Sequence, residues 1–260
     1  MPTSRRPAND ALLCEHCGYD LAGLTRNDNC PECGKPIAES LPENRTGTPW
    51  QRRVHWDWLK TAWFVVRHPY TMWRTVQHDD NRAGELIGAN ALFAAGSILP
   101  AAWVVLVLKH YVMEGREGVY DFVRSDPRLV MWWVLITLVG TPVIYVLTAT
   151  ESFGIAHFGR RRGWRTNKAL ARVITSHASI MWFAAAPLGA IGGLIPSDIR
   201  YFFPLPMWIG FFLGMLLFET WVYLGFRAMR YANPSGAERH LRDHAGEANI
   251  STEPESARRM

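Results

Sequence analysis

LIGANALFAAGSILPAAWVVLVL, residues 86–108, runs for 23 residues without a formal charge. An α-helix rises about 1.5 Å per residue, so about 20 apolar residues cross the roughly 30 Å hydrocarbon core of a bilayer. Three further stretches share this character: 129–150, 173–197 and 201–226, the last with one charge, Glu219. Helices of a soluble bundle keep a polar stripe at period 3.6, and none of the four stretches shows one. The sequence therefore predicts an all-α polytopic membrane domain over 84–228, with four transmembrane helices. Gly189 with Gly193 and Gly210 with Gly214 supply G-x-x-x-G spacings suited to close helix contact.

Charge patterning outward from these stretches predicts their orientation. Four spans put both termini on one side, where 23 of the 28 lysines and arginines then fall, against 5 in the two opposite loops. The segment HFGRRRGWRTNKALAR, residues 157–172, carries the strongest local bias. By the positive-inside rule both ends face the cytoplasm of a cell inner membrane. MPTSRRPANDALL lacks the apolar core of a cleavable signal, so the N-terminal region is expected to stay attached.

That region holds all four cysteines, in CEHCGYDLAGLTRNDNCPECG, residues 14–34. A reducing cytoplasm favours metal ligands over disulfides. Cys14, Cys17, Cys30 and Cys33 form two Cys-x-x-Cys knuckles, each followed by a glycine, Gly18 and Gly34. Glycine permits the tight turn that aims backbone N–H groups at the sulfurs. Four thiolates match the tetrahedral preference of Zn²⁺ and leave no open position, so the expected ion is structural. His16 lies inside the first knuckle and could in principle replace a cysteine, but four thiolates already close the shell; a redox pair is the alternative reading, and a thioredoxin-like motif needs no second matching pair.

CEHCGYDLAGL with CPECGKPI, spanning residues 14–37, resembles a zinc-ribbon module that begins many bacterial proteins, often ahead of membrane helices. The resemblance implies a zinc ribbon over 12–38 and names no partner. Between Cys14 and Ile37 the bases Arg26 and Lys35 are outnumbered by Glu15, Asp20, Asp28 and Glu32, so nucleic acid is not expected there.

Residues 1–11 and most of 229–260 read as disordered, the latter a mixed-charge cytoplasmic tail, and 39–49 reads as a linker. Over 50–80, five tryptophans alternate with basic residues, and Trp50, Val54, Trp58 and Ala62 fall one helical turn apart. This predicts an amphipathic interfacial helix on the cytoplasmic leaflet, interrupted near Pro69. RHPYTMWRTV at 67–76 and SHASIMWFAAAPLGAIGGLI at 176–195 are similar to the Yip family of membrane proteins, over residues 67–228. That family is usually drawn with five spans, and its eukaryotic members associate with Rab GTPases. The resemblance implies a fold more than a function.

Titratable residues within spans are functional candidates. At about 1.5 Å per residue, His177 and Glu219 lie near the cytoplasmic ends of their stretches, with Asn90, Thr148 and Glu151 at similar depth. Two uses fit: a polar cavity for an ion, proton or lipid headgroup, or hydrogen bonds that glue the bundle. The sequence carries no phosphate loop, H-E-x-x-H or G-x-S-x-G motif, so no enzyme is expected. The functional expectation is a non-enzymatic membrane protein displaying its ribbon for protein contact or membrane organisation. The alternative is a transporter or channel component built around Glu219 and His177.

Overall fold

The computed structural model describes residues 11–53, 55–78, 81–125, 129–184, 188 and 205–241. Six α-helices follow in order: α1 Asp57–Arg67, α2 Pro69–Thr75, α3 Ala83–Ser125, α4 Leu129–Arg161, α5 Lys168–Ala178 and α6 Leu205–Met229. Among the described residues they are accompanied by short 3₁₀ helices at Ile37–Ser40, Pro42–Asn44, Ser179–Ala184 and Ala237–His240 and by isolated β-bridges in the cysteine region. Pro69 occupies the first position of α2, where its missing N–H costs nothing, and so separates α1 from α2.

Among the described residues, three segments are long and apolar enough to cross a membrane: Ala83–Val105, Val130–Arg161 and Gly210–Met229. They correspond to three of the four expected spans. On α4 the apolar side chains point outward, and Leu138, Val143, Val146 and Phe153 are each at least half exposed. An all-apolar, outward-facing helix suits lipid. Pro100 and Pro142 sit inside α3 and α4 without ending them. The expected loop after residue 108 is instead a continuation of α3 to Ser125.

The remaining stretch, 173–197, does not form a fourth long helix among the described residues. It starts within α5, tightens to a 3₁₀ helix over Ser179–Ala184, and then passes outside the described residues apart from residue 188. Every residue from Val173 to Ala178 is buried. The chain there is uncharged because it faces protein, not because it faces lipid. Asn90 on α3 donates to the Ser176 carbonyl and the Ser179 hydroxyl, both at 2.9 Å, and accepts from Trp58 Nε1 at 2.7 Å. Trp182 stacks on Phe218 of α6 and donates to Thr148 Oγ1 of α4 at 3.2 Å. This short amphipathic element is thus the centre around which α3, α4 and α6 pack.

Close approach elsewhere depends on small residues. A Cβ on Gly140 would stand 3.1 Å from that of Ala95, and one on Gly225 would meet the Trp73 ring at 2.7 Å, which fastens α2 onto α6. Gly210 and Gly214 are buried, as their spacing predicts, while Gly189 and Gly193 lie outside the described residues.

Candidate metal centre and the intramembrane carboxylates

Each Cys-x-x-Cys closes a small turn. The N–H of Gly18 donates to the Cys14 carbonyl and that of Gly34 to the Cys30 carbonyl, both at 2.8 Å. Leu13 then bridges Asp20, and Asn29 bridges Pro36, so the two knuckles have equivalent backbones. Gly18 and Gly34 hold φ of 84° and 72°, the left-handed region that L side chains resist.

The turns bring all four sulfurs within 4.8 Å of one another. Cys14 Sγ lies 3.5 Å from Cys33 Sγ, and Cys17 Sγ lies 3.6 Å from Cys30 Sγ. A tetrahedral ion with metal–sulfur bonds of about 2.3 Å sets its sulfurs about 3.8 Å apart, so the four thiols can hold a metal with little adjustment. Burial raises the Cys30 thiol, but the N–H groups of Cys33 and Glu32 outweigh it and draw Cys30 down to about 7. Burial pushes Cys17 in the opposite direction, up to about 12. The turn of the second knuckle, with the neighbouring Cys17 and Cys33 side chains, thus favours a thiolate at Cys30. His16 points to solvent at the edge of the turn.

The first knuckle is fastened to the helical bundle. Asn233, beyond α6 and 1 % exposed, accepts from Leu13 N at 2.9 Å and donates to the carbonyls of Leu13 and Ser40 at 2.7 Å. Its Oδ1 also accepts from Arg165 Nη1 at 2.9 Å, and Arg165 reaches the Ala11 carbonyl. Glu15, inside the knuckle, takes a two-pronged contact from Arg45, 2.9 Å from Nε and 2.7 Å from Nη2. Arg45 is 4 % exposed and spends Nη1 on the carbonyls of Trp73 and Val76 at the end of α2. The segment expected as a linker, 39–49, therefore buries Arg45 and Thr48 against the bundle. Ala237 and Leu241, in the expected tail, pack with Leu12, Leu21 and Ile37 in the apolar centre of the cysteine module.

The five polar residues expected at one depth divide into two groups. Three are absorbed by packing: Asn90 and Thr148 as described, and His177, which is fully buried. His177 Nδ1 stands 2.9 Å from the Val173 carbonyl and Nε2 stands 3.1 Å from Thr48 Oγ1. Nδ1 therefore carries the proton, and Nε2 accepts from the hydroxyl. The other two, Glu151 on α4 and Glu219 on α6, line a cavity of about 330 Å³ with Arg162, Trp164, Tyr223 and Phe226. At about 1.5 Å per residue both carboxylates lie about 15 Å from the ends of their helices.

The chain matched no family model, no curated protein and no solved structure. The ribbon and Yip resemblances accordingly rest on their motifs alone.

Proposed function

We propose that this chain is a non-enzymatic, multi-pass inner-membrane protein whose Cys14, Cys17, Cys30 and Cys33 hold a structural zinc ion. The ribbon caps the cytoplasmic end of the helices and offers a fixed surface for protein contact or membrane organisation. The observation that carries this reading is the closed set of four sulfurs within 4.8 Å, all on tight turns and none backed by a further donor that would open the shell to substrate. A cytoplasmic cap is supported by the basic residues gathered at that end: Arg160 and Arg161 in the last turn of α4, Arg162 after it, Lys168 at the start of α5, Arg227 in the last turn of α6 and Arg230 after it. Purified full-length protein should contain one zinc per chain, and Cys14→Ser with Cys17→Ser should lose it. In intact spheroplasts a protease should spare both termini. Absence of zinc, or cleavage from outside, would overturn the metal or the orientation respectively.

A second reading has its own observation, the cavity that pairs Glu151 with Glu219. Two acids at membrane depth with aromatic walls suit a cation or proton pathway. In proteoliposomes carrying a pH-sensitive dye, this reading requires a proton or cation flux in the wild type that Glu219→Gln abolishes. A silent wild type removes it.

A further inference from the structure

The face of α1 expected to meet lipid is occupied by protein. Trp50 is buried under the Arg82 guanidinium, 4.2 Å from its ring, and Trp58 packs against Phe93 with the rings tilted and 4.4 Å apart while bonding Asn90. Thr61 and Val65 are fully buried on the same side. A different set of apolar side chains is left uncovered: Leu59, Trp63 and Val66 on α1, continued by Tyr70 on α2, each more than half exposed. At about 100° per residue, Leu59, Trp63 and Val66 fall within about 60° of one another, and Lys60 and Arg67 flank them on one side.

We propose that this stripe docks into the headgroup and upper acyl layer of the bilayer that α3, α4 and α6 cross, with anionic lipid as its partner.

Three observations favour lipid over protein as the occupant. The first is depth. α1 touches α3 at Asn90 and Phe93, and its Val65 carbonyl accepts from Trp221 Nε1 of α6 at 3.1 Å. Those positions lie about 10–15 Å along the apolar helices from their ribbon ends, so α1 lies across the bundle at the level of the bilayer interface. The second is continuity. Leu92 and Phe93 on α3 are each nearly half exposed beside Trp58, so the stripe joins the outward apolar surface of a membrane-length helix.

The third is charge. Residues 50–78 carry Arg52, Arg53, Lys60, Arg67 and Arg74 against a single acid, Asp57. Asp57 is taken by Arg82 at 3.3 Å, and the five bases are exposed. Tryptophan and tyrosine with cations suit a layer that is half wet and negatively charged.

The test uses full-length protein carrying a benzoylphenylalanine photocrosslinker at Trp63, at Leu138 on the outward face of α4, or at buried Met72. In cells, illumination should give lipid adducts, seen as small mass shifts, at 63 and 138 and none at 72. In vesicles, adduct yield at 63 should rise several-fold when about a third of the lipid is phosphatidylglycerol, and Lys60→Glu with Arg67→Glu should abolish that rise. A protein conjugate at 63, to a second copy or to another chain, would overturn the proposal. So would lipid adducts at 138 without any at 63. Equal yield in neutral and anionic vesicles would overturn anionic lipid as the partner.

Discussion

The two knuckles of the ribbon have the same backbone and opposite surroundings. Leu13 to Tyr19 is pinned at Leu13 by Asn233, clamped through Glu15 by Arg45, and covered at Gly18 by Tyr231, whose ring a Cβ there would meet at 2.7 Å. Cys30 to Lys35 repeats the turn with Pro31, Glu32, Gly34 and Lys35 exposed, and a Cβ on Gly34 would meet nothing within 4 Å. One metal site thus has an anchored half and a presented half. A pair of local motifs with equal chemistry acquires unequal surroundings from what folds against it: one half is covered and the other is open to solvent.

Asn233→Ala attacks the anchored half most severely. The side chain makes four hydrogen bonds, all buried, and leaving their partners unsatisfied costs about 2–4 kcal/mol. Hydrogen exchange should show protection of residues 11–20 falling by about 30-fold to 1000-fold while residues 28–37 stay protected by the metal. Equal loss in both knuckles would mean that the ribbon responds as one unit and the asymmetry has no energetic content.

Gly18→Ala and Gly34→Ala sharpen the comparison at smaller cost. Both place a methyl at positive φ, which costs about 1–2 kcal/mol and should weaken metal retention against a chelator by about 5-fold to 30-fold. Gly18→Ala adds overlap with Tyr231, a further cost of about 1–3 kcal/mol. The first variant should therefore release metal more readily than the second, and indistinguishable chelation curves would remove Tyr231 as a support.

The bundle has a matching pair of regions. Stretch 129–150 and stretch 173–197 are both free of formal charge, yet the first became an outward-facing helix while the described start of the second, 173–184, packs into the protein interior as the end of α5 and a 3₁₀ helix. Hydropathy sees only the side chain, and it weighs a wall of lipid and a wall of protein alike. The signal for burial was the polar set Ser176, His177 and Ser179, which hydrogen-bonds to Asn90 and Thr48 across the fold. The α1 face failed in the same way: spacing located an amphipathic helix, but two of its faces carry tryptophan, and only packing decides which is covered.

What the chain determined by itself is what local geometry dictates. Cysteine spacing with following glycines makes the knuckles, Pro69 breaks α1 from α2, and three of the four uncharged runs make helices of membrane length. The tertiary structure decided everything that depends on partners far away in sequence. Asn233 meets Leu13 across 220 residues, Thr48 meets His177 across 129, and Glu151 meets Glu219 around one cavity. Such contacts have no local pattern, because a hydrogen bond or a covered face requires only that two groups arrive at the same place, and arrival is settled by the packing of the whole bundle.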